Sequence, residues 1–233
     1  FGARASLPET VGPTDDESAE SYEIGVKSEW LDGRLRANAT IFHTVFQDLT
    51  FGVFIPSPVG TGQETIAENI GESTNQGVEL ELQAVPLDGL TLQASVGYLD
   101  SQYDKFCADI NGAQTYPGTP VSDCGGEVRQ LANGTWLVDE DQTFRKLSRA
   151  PKWQHFVAAD YEWQTDLGWW FVRAAANYES SFFTDGVTNN PIGKTGDFWL
   201  FDASAGWRSG DDSWRVQAWC KNCGDKVYTN GLT

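Results

Sequence analysis

The connections between the predicted strands of this chain are sorted by length. About eight segments alternate apolar and polar side chains with the period of two that marks a β-strand. The short connections are residues 31–33, 86–89, 164–168 and 209–212, and the long ones are residues 50–73, 104–146 and 182–196. Because short and long connections alternate along the chain, all the long loops lie at one end of an up-and-down sheet. The pattern predicts an all-β fold, a transmembrane antiparallel β-barrel.

The first predicted hairpin, residues 20–49, shows the alternation clearly. Its first strand has an aromatic or aliphatic side chain at nearly every second position: Tyr22, Ile24, Val26 and Trp30. Asp32-Gly33 follows, a dipeptide that tight hairpin turns favour. The strands reach the roughly 9–11 residues that a tilted membrane-spanning strand needs. Tyr22 and Trp30 lie where interfacial aromatics are found. A soluble β-sandwich with one buried face is the alternative that this hairpin alone leaves open.

Composition excludes several classes of protein. The 233 residues carry a formal net charge of −17, which argues against a nucleic-acid partner. A run of about 18 apolar residues is missing, so no membrane-spanning helix is expected. The sequence has no methionine and no signal peptide at its start, so we expect a mature or processed chain, or a fragment.

The four cysteines form two pairs by position. Cys107 and Cys124 bracket a polar loop, and we predict a disulfide between them. Cys220 and Cys223 follow a predicted strand, where positions three apart lie roughly 10 Å apart, too far for a disulfide. Bridging them would require a turn at Lys221-Asn222. Two unpaired cysteines or a clip at the strand end are favoured over a metal site.

The sequence shows no catalytic constellation, and we expect neither an enzyme nor a bound cofactor. His43 and His155 lie on separate strands without a nucleophile at motif spacing. No phosphate-binding loop or dinucleotide fingerprint is present. The acidic run 139–141 lacks the ligand spacing of a calcium loop and is interpreted as a solvated loop, so no metal site is predicted.

Several segments resemble one family, the TonB-dependent outer-membrane receptors. The matching segments are SYEIGVKS at 21–28, LDGRL at 31–35, QGVELE at 76–81, LDGL at 87–90, APKW at 150–153, and Lys221-Asn222 followed by Asp225 and Tyr228. The resemblance covers nearly all of residues 20–230. It implies a barrel of twenty-two strands closed around an N-terminal plug. Residues 1–233 would then be the C-terminal part of that barrel, without the plug. Cys223 departs from the pattern, since the family more often has leucine there.

The resemblance implies a function. The expected protein is an outer-membrane active-transport receptor that captures a scarce nutrient and is energised by the TonB complex, which acts through the plug. A ferric siderophore is the first expectation for the ligand, with cobalamin, haem and oligosaccharides as alternatives. The acidic loops do not favour an anionic ligand. Outer-membrane lipid would surround the barrel. Two other functions stay open: a passive small barrel, and a soluble carbohydrate-binding β-sandwich.

Aromatic side chains in the long loops are the candidate ligand contacts, because aromatic rings stack on flat ligands. They are Phe106, Tyr116, Trp136, Phe144, Phe182 and Phe183. The competing interpretation is that these rings pack the loops against one another.

Overall fold

A computed structural model describes residues 14–56, 63–131, 133–185, 189–229 and 231. The eight long strands are β1 (Ser18–Trp30), β2 (Leu35–Pro56), β3 (Gln63–Leu87), β4 (Leu90–Ala108), β8 (Trp153–Thr165), β9 (Gly168–Glu179), β12 (Phe198–Arg208) and β13 (Arg215–Cys220). The short strands in the loops are β5 (Val128–Gln130), β6 (Trp136–Val138), β7 (Glu140–Asp141), β10 (Phe182–Phe183) and β11 (Lys194–Thr195). A 3₁₀ turn covers Pro191–Gly193. Among the described residues, no helix is long and apolar enough to cross a membrane.

The eight long strands form one antiparallel sheet in the order β1-β2-β3-β4-β8-β9-β12-β13. Each strand except β1 and β13 has a neighbour on both sides in the part of the chain described, so the sheet is an open portion of a barrel wall. The predicted all-β, partial antiparallel barrel is therefore confirmed. The alternative of a soluble β-sandwich was wrong. A sandwich needs a second large sheet packed on the first, and the described residues form only two small two-stranded sheets besides the main one.

One face of the sheet is apolar across all of its strands. The strand register aligns Leu82, Ala94, Val157, Ala176 and Phe201 in a single row from β3 to β12. Large apolar side chains on this face that stay exposed include Ile24 (73%), Leu80 (48%), Val172 (40%) and Val216 (62%). A water-soluble protein rarely exposes so extensive an apolar surface. This face therefore has the character of the lipid-facing side of a membrane barrel.

A belt of aromatic rings borders the apolar face on the side of the long loops. Tyr98 lies 4.8 Å from Trp153, centroid to centroid, and Trp153 lies 5.8 Å from His155. His155 stacks on Tyr178 at 5.2 Å, and Tyr178 lies 5.1 Å from Trp199. We call these five residues the upper belt. Aromatic rings at this position are typical of the boundary between hydrocarbon and headgroups.

A second set of aromatic side chains borders the apolar face at the opposite rim. Tyr161 stacks near Trp163 at 5.2 Å, and Trp170 lies 6.5 Å from Trp207. Trp153 and Trp163 are ten residues apart on β8, which is roughly 33 Å of strand at about 3.3 Å per residue. At a tilt of about 40°, the two belts are roughly 25 Å apart, the height of the apolar band of an outer-membrane barrel.

The short turns lie where the sequence predicts them. The Arg34 N–H donates to the Leu31 carbonyl at 3.1 Å and closes the first turn. Asp32 and Gly33 both have positive φ, 54° and 82°. This is the backbone conformation that makes Asp-Gly favourable in a two-residue hairpin turn.

The long connections are more ordered than predicted. Residues 50–73 were expected to be a loop, but β2 and β3 stay paired from Thr50–Asn69 to Pro56–Gln63; the tip, 57–62, lies outside the described residues. The reason is a bulge near Asp48, whose φ is 55°. A bulge shifts the side-chain alternation by one residue, so the alternation in the sequence is interrupted at a point where the strand itself continues.

The other two predicted loops also contain strands. Residues 104–108 belong to β4, and the rest of 104–146 contains the β5–β6 hairpin and β7, which pairs with the end of β4. Residues 182–196 contain the β10–β11 pair and the 3₁₀ turn. These short pairs satisfy backbone groups locally, which lets long segments stay compact above the wall.

Candidate functional site

The face opposite the apolar one is polar and carries paired charges. The Arg173 Nη1 donates to Asp160 Oδ1 at 2.7 Å and also contacts Oδ2. Arg208 Nη2 lies 3.5 Å from Glu162 Oε1. These groups line a cavity of about 540 Å³ near the short-turn rim. A polar, charged face of this kind matches the water-facing inner side of a barrel.

A small aromatic core anchors the long loop between β4 and β8. Phe51 of β2 stacks on Phe106 of β4 at 4.9 Å, and Tyr103 lies 4.8 Å from Phe106. Burial, together with the charge of Asp185, raises the pKa of Tyr103 to about 12. The loop therefore starts from a rigid extension of the wall.

Two carboxylates then organise the loop backbone. Asp109, 7% exposed, accepts through Oδ1 from the N–H groups of Asn111 (3.0 Å) and Gly112 (2.7 Å), and through Oδ2 from Val138 N–H (2.9 Å). Asp139 accepts from the N–H groups of Asp109 (3.0 Å) and Glu127 (2.7 Å). Each carboxylate thus joins segments that are far apart in sequence.

Burial raises the pKa values of two carboxyl groups around this loop. For Asp139, burial is the largest cause, opposed by its two backbone hydrogen bonds. For Glu68 of β3, burial comes first and the charges of Asp139 and Glu127 add to it. The hairpin and the loop therefore meet through acidic groups that repel one another when ionised.

Two disulfides are present. Cys107 is bonded to Cys124, as predicted, which ties the end of β4 to the middle of the loop. Cys220 is bonded to Cys223 with Cα atoms 5.5 Å apart. The turn that this second bond requires is present, since Asn222 has a φ of 49° and its N–H donates to Asp202 Oδ1 at 2.8 Å. The four cysteines are structural clips.

The six predicted ligand contacts have different surroundings. Phe106 is 1% exposed and packs in the aromatic core, so its prediction as a ligand contact was wrong. Tyr116 and Trp136 are half-buried, and Trp136 pairs with Gln114 beside the β5–β6 hairpin. Phe144 is 71% exposed, with the Arg145 guanidinium 5.2 Å from its ring centre. Tyr116, Trp136 and Phe144 remain candidates for ligand contact.

Phe182 and Phe183 line a separate cleft of about 450 Å³ at the long-loop rim. We call it the rim cleft; it is lined by Leu99, Asp100, Ser101, Lys146, Leu147, Ala150, Lys152, Trp153, Ser180, Ser181, Phe182, Phe183 and Lys194. Its three lysines could not be predicted from the sequence. Lys146 and Lys152 lie in the connection before β8 and Lys194 lies in the one before β12, and only the fold brings them together.

The histidines have structural contacts. His43 Nδ1 lies 3.3 Å from Gln76 Oε1, and His155 is part of the upper belt. Within the described ranges, no group of three or more His, Cys, Asp or Glu side chains is placed to hold a metal ion.

Comparisons with known proteins agree with this architecture. Residues 4–223 match the family model described as TonB dependent receptor-like, beta-barrel. A probable TonB-dependent siderophore receptor, PiuA of Acinetobacter baumannii, is 34% identical over 91 residues, 39% of this chain and 11% of that protein. The ferric-pyoverdine M114 receptor PbuA of Pseudomonas sp. (strain M114) is 30% identical over 83 residues, 36% of this chain and 9% of that protein. The aligned segments thus cover about a tenth of these curated relatives.

Solved structures share the fold. The ferric yersiniabactin uptake receptor FyuA from Yersinia pestis superposes with a TM-score of 0.63 at 18% identity, over 92% of this chain and 26% of that one. The siderophore receptor PiuA from Acinetobacter baumannii superposes with a TM-score of 0.61 at 23% identity, over 91% of this chain and 25% of that one. The eight-stranded wall therefore corresponds to about a quarter of each of these chains.

Proposed function

This chain belongs to the TonB-dependent receptor-like β-barrel family, and we propose that the protein containing it is an outer-membrane receptor for a metal–siderophore complex, energised through the TonB complex. Its role is transport and not catalysis. The observation that carries the proposal is the wall itself: one sheet with an apolar face between two aromatic belts, and a charged face on its other side. The choice of ligand is supported by relatives that are named as receptors for siderophores or metal chelates.

The long-loop rim is the proposed entry side. Tyr116, Trp136 and Phe144 lie on the loop that the disulfide and the two carboxylates hold in shape. A preorganised loop loses less conformational entropy when it binds a ligand. These three rings are the proposed contacts for a chelate, which would then move along the charged face.

The test is uptake of ⁵⁵Fe-loaded chelates by cells that express or lack the intact protein, under iron limitation. The panel contains ferric pyoverdine and ferric yersiniabactin. We expect uptake of at least one chelate to require the protein, and to stop when the proton-motive force is dissipated while binding at the cell surface persists. Chelate uptake that is the same with and without the protein would refute the proposal.

A passive small barrel is the alternative function that this assay separates. A passive pore would carry its solutes whether or not the inner membrane is energised. Uptake that persists after the proton-motive force is removed would therefore favour the pore and reject the energised receptor.

A further inference from the structure

We propose that the rim cleft binds the phosphate-bearing headgroup of a lipid from the surrounding membrane leaflet. The chain has seven lysines among 233 residues and a net charge of −17. Three of the seven, Lys146, Lys152 and Lys194, line this one cleft. A concentration of cations in so acidic a chain favours an anionic ligand at this place.

The cleft lies at the level of the lipid headgroups. Trp153, which lines it, is part of the upper belt and lies on the apolar face beside Tyr98. The Lys152 ammonium lies 5.3 Å from the centre of the Tyr98 ring, so it extends over the belt on that same face. Long basic side chains at the edge of an apolar band place their charges among headgroups.

The charges in the cleft are mostly uncompensated. Asp100 is the one acidic residue among those that line it, against three lysines. None of the three ammonium groups forms an ion pair with a carboxylate in the described part of the chain. Lys152 and Lys194 instead lie over aromatic rings, the latter 5.5 Å from the centre of Phe183. These contacts orient the cations and leave room for an anion.

The backbone around the cleft is fixed by hydrogen bonds. The Lys146 N–H donates to Asn189 Oδ1 at 2.6 Å, and the Asn189 amide donates back to the Lys146 carbonyl at 2.8 Å. The Arg149 N–H donates to the Phe183 carbonyl at 2.8 Å. The two connections that supply the lysines are thus tied together.

Position favours a lipid over the transported chelate. A chelate enters from the aqueous loops and moves along the charged inner face. The rim cleft includes side chains of the apolar face, and Trp153, Phe182 and Phe183 offer apolar surface beside the cations. A volume of about 450 Å³ is in the range of small-molecule sites, roughly 300–1,000 Å³, and suits a phosphorylated sugar. This inference rests on the membrane placement in the proposed function.

The experiment titrates the purified intact protein in detergent with bisphosphorylated lipid A and follows binding by native mass spectrometry. The variant is K146Q/K152Q/K194Q. The matched control, K27Q/K221Q/K226Q, removes the same charge away from the cleft. If each lysine contributes about 5-fold to the affinity for lipid A, the cleft variant should bind lipid A on the order of 100-fold more weakly than the wild type. The control should bind it with the affinity of the wild type. Retained heat-modifiable mobility on gels shows that both variants fold.

Three results would overturn the assignment. The first is equal weakening of lipid A binding in the cleft variant and in the control. The second is wild-type binding of dephosphorylated lipid A as tight as that of the phosphorylated form. The third is displacement of lipid A by millimolar inorganic phosphate, which would indicate a site for free anions. Uptake of ⁵⁵Fe chelates is measured on the same proteins, so a failure of the transport proposal is seen separately from a failure of this one.

Discussion

Asp109→Ala should release the loop above β4 without unfolding the wall. Three backbone N–H groups, those of Asn111, Gly112 and Val138, donate to this carboxylate, which is 7% exposed. A hydrogen bond to a charged group contributes about 1.5–3 kcal/mol. At the lower end of that range, losing all three destabilises the closed loop by about 4.5 kcal/mol, which is on the order of a thousandfold in its opening constant.

The assay is hydrogen–deuterium exchange of the intact protein, read by mass spectrometry on peptides from the loop and from β8. Exchange at Gly112 and Val138 should accelerate roughly a thousandfold, while β8 exchanges as in the wild type. Asp109→Asn keeps an acceptor for Asn111 and Gly112 but presents an amide N–H₂ to the Val138 N–H, so its effect should be intermediate.

The control for this prediction is Asp141→Ala, which removes the same charge from an exposed residue of β7 whose carboxylate accepts from the Thr143 N–H. It should leave exchange at Val138 unchanged. Unaltered exchange at Gly112 and Val138 in Asp109→Ala would refute the reasoning, because the carboxylate would then not hold the loop. Acceleration throughout β8 would refute it too, because the loop and the wall would then unfold together.

Three further predictions concern the loop, the wall and the effect of pH. C107S/C124S removes a cross-link across 17 residues, so the loop should lose about 3 kcal/mol and be cut faster in limited proteolysis; equal cleavage rates would contradict this. Gly77→Ala places a Cβ against the Tyr98 carbonyl oxygen and 2.7 Å from Phe42 Cζ, whereas at Gly97 the nearest atom is 3.9 Å away. The first change should cost about 1–3 kcal/mol and lower the melting temperature, and Gly97→Ala should not. Since the folded pKa of Glu68 lies above its ordinary value of 4.5, its protonation stabilises the closed hairpin below that pH, and this stability is lost as the pH rises through the folded pKa. Glu68→Gln should flatten the pH dependence of the amide protection factors in the β2–β3 extension, where Glu68 is paired with Phe51, and an unchanged pH profile would count against it.

The wall could be predicted from sequence because alternation is a local signal. The apolar and polar faces of each strand can be assigned from the residues of that strand, and Asp32-Gly33 predicts its turn by itself. Neither assignment requires knowledge of distant residues. The strand extensions could not be predicted because bulges, such as the one near Asp48, shift the alternation by one residue.

The candidate sites were harder to predict for a related reason. The buried position of Phe106 depends on contact with Phe51, which is 55 residues earlier in the chain. The rim cleft depends on the pairing of segments that carry Lys146 and Lys194, through the bridge between Ser148 and Phe183. Such contacts exist only once the sheet has formed, and no short pattern in the sequence encodes them.

The pairing of β4 with β7 sets how the large loop is attached. Cys107 faces Asp141 and Ala108 faces Glu140, so the loop leaves the wall and returns to it at neighbouring backbone positions. Its disulfide and its two organising carboxylates lie almost entirely within the loop. The hydrogen bonds that fix the loop backbone therefore lie inside the loop, while Phe51 of β2 supports its base from the wall. Substitutions inside such a loop change its exposed side chains without changing the strand pairing of the wall.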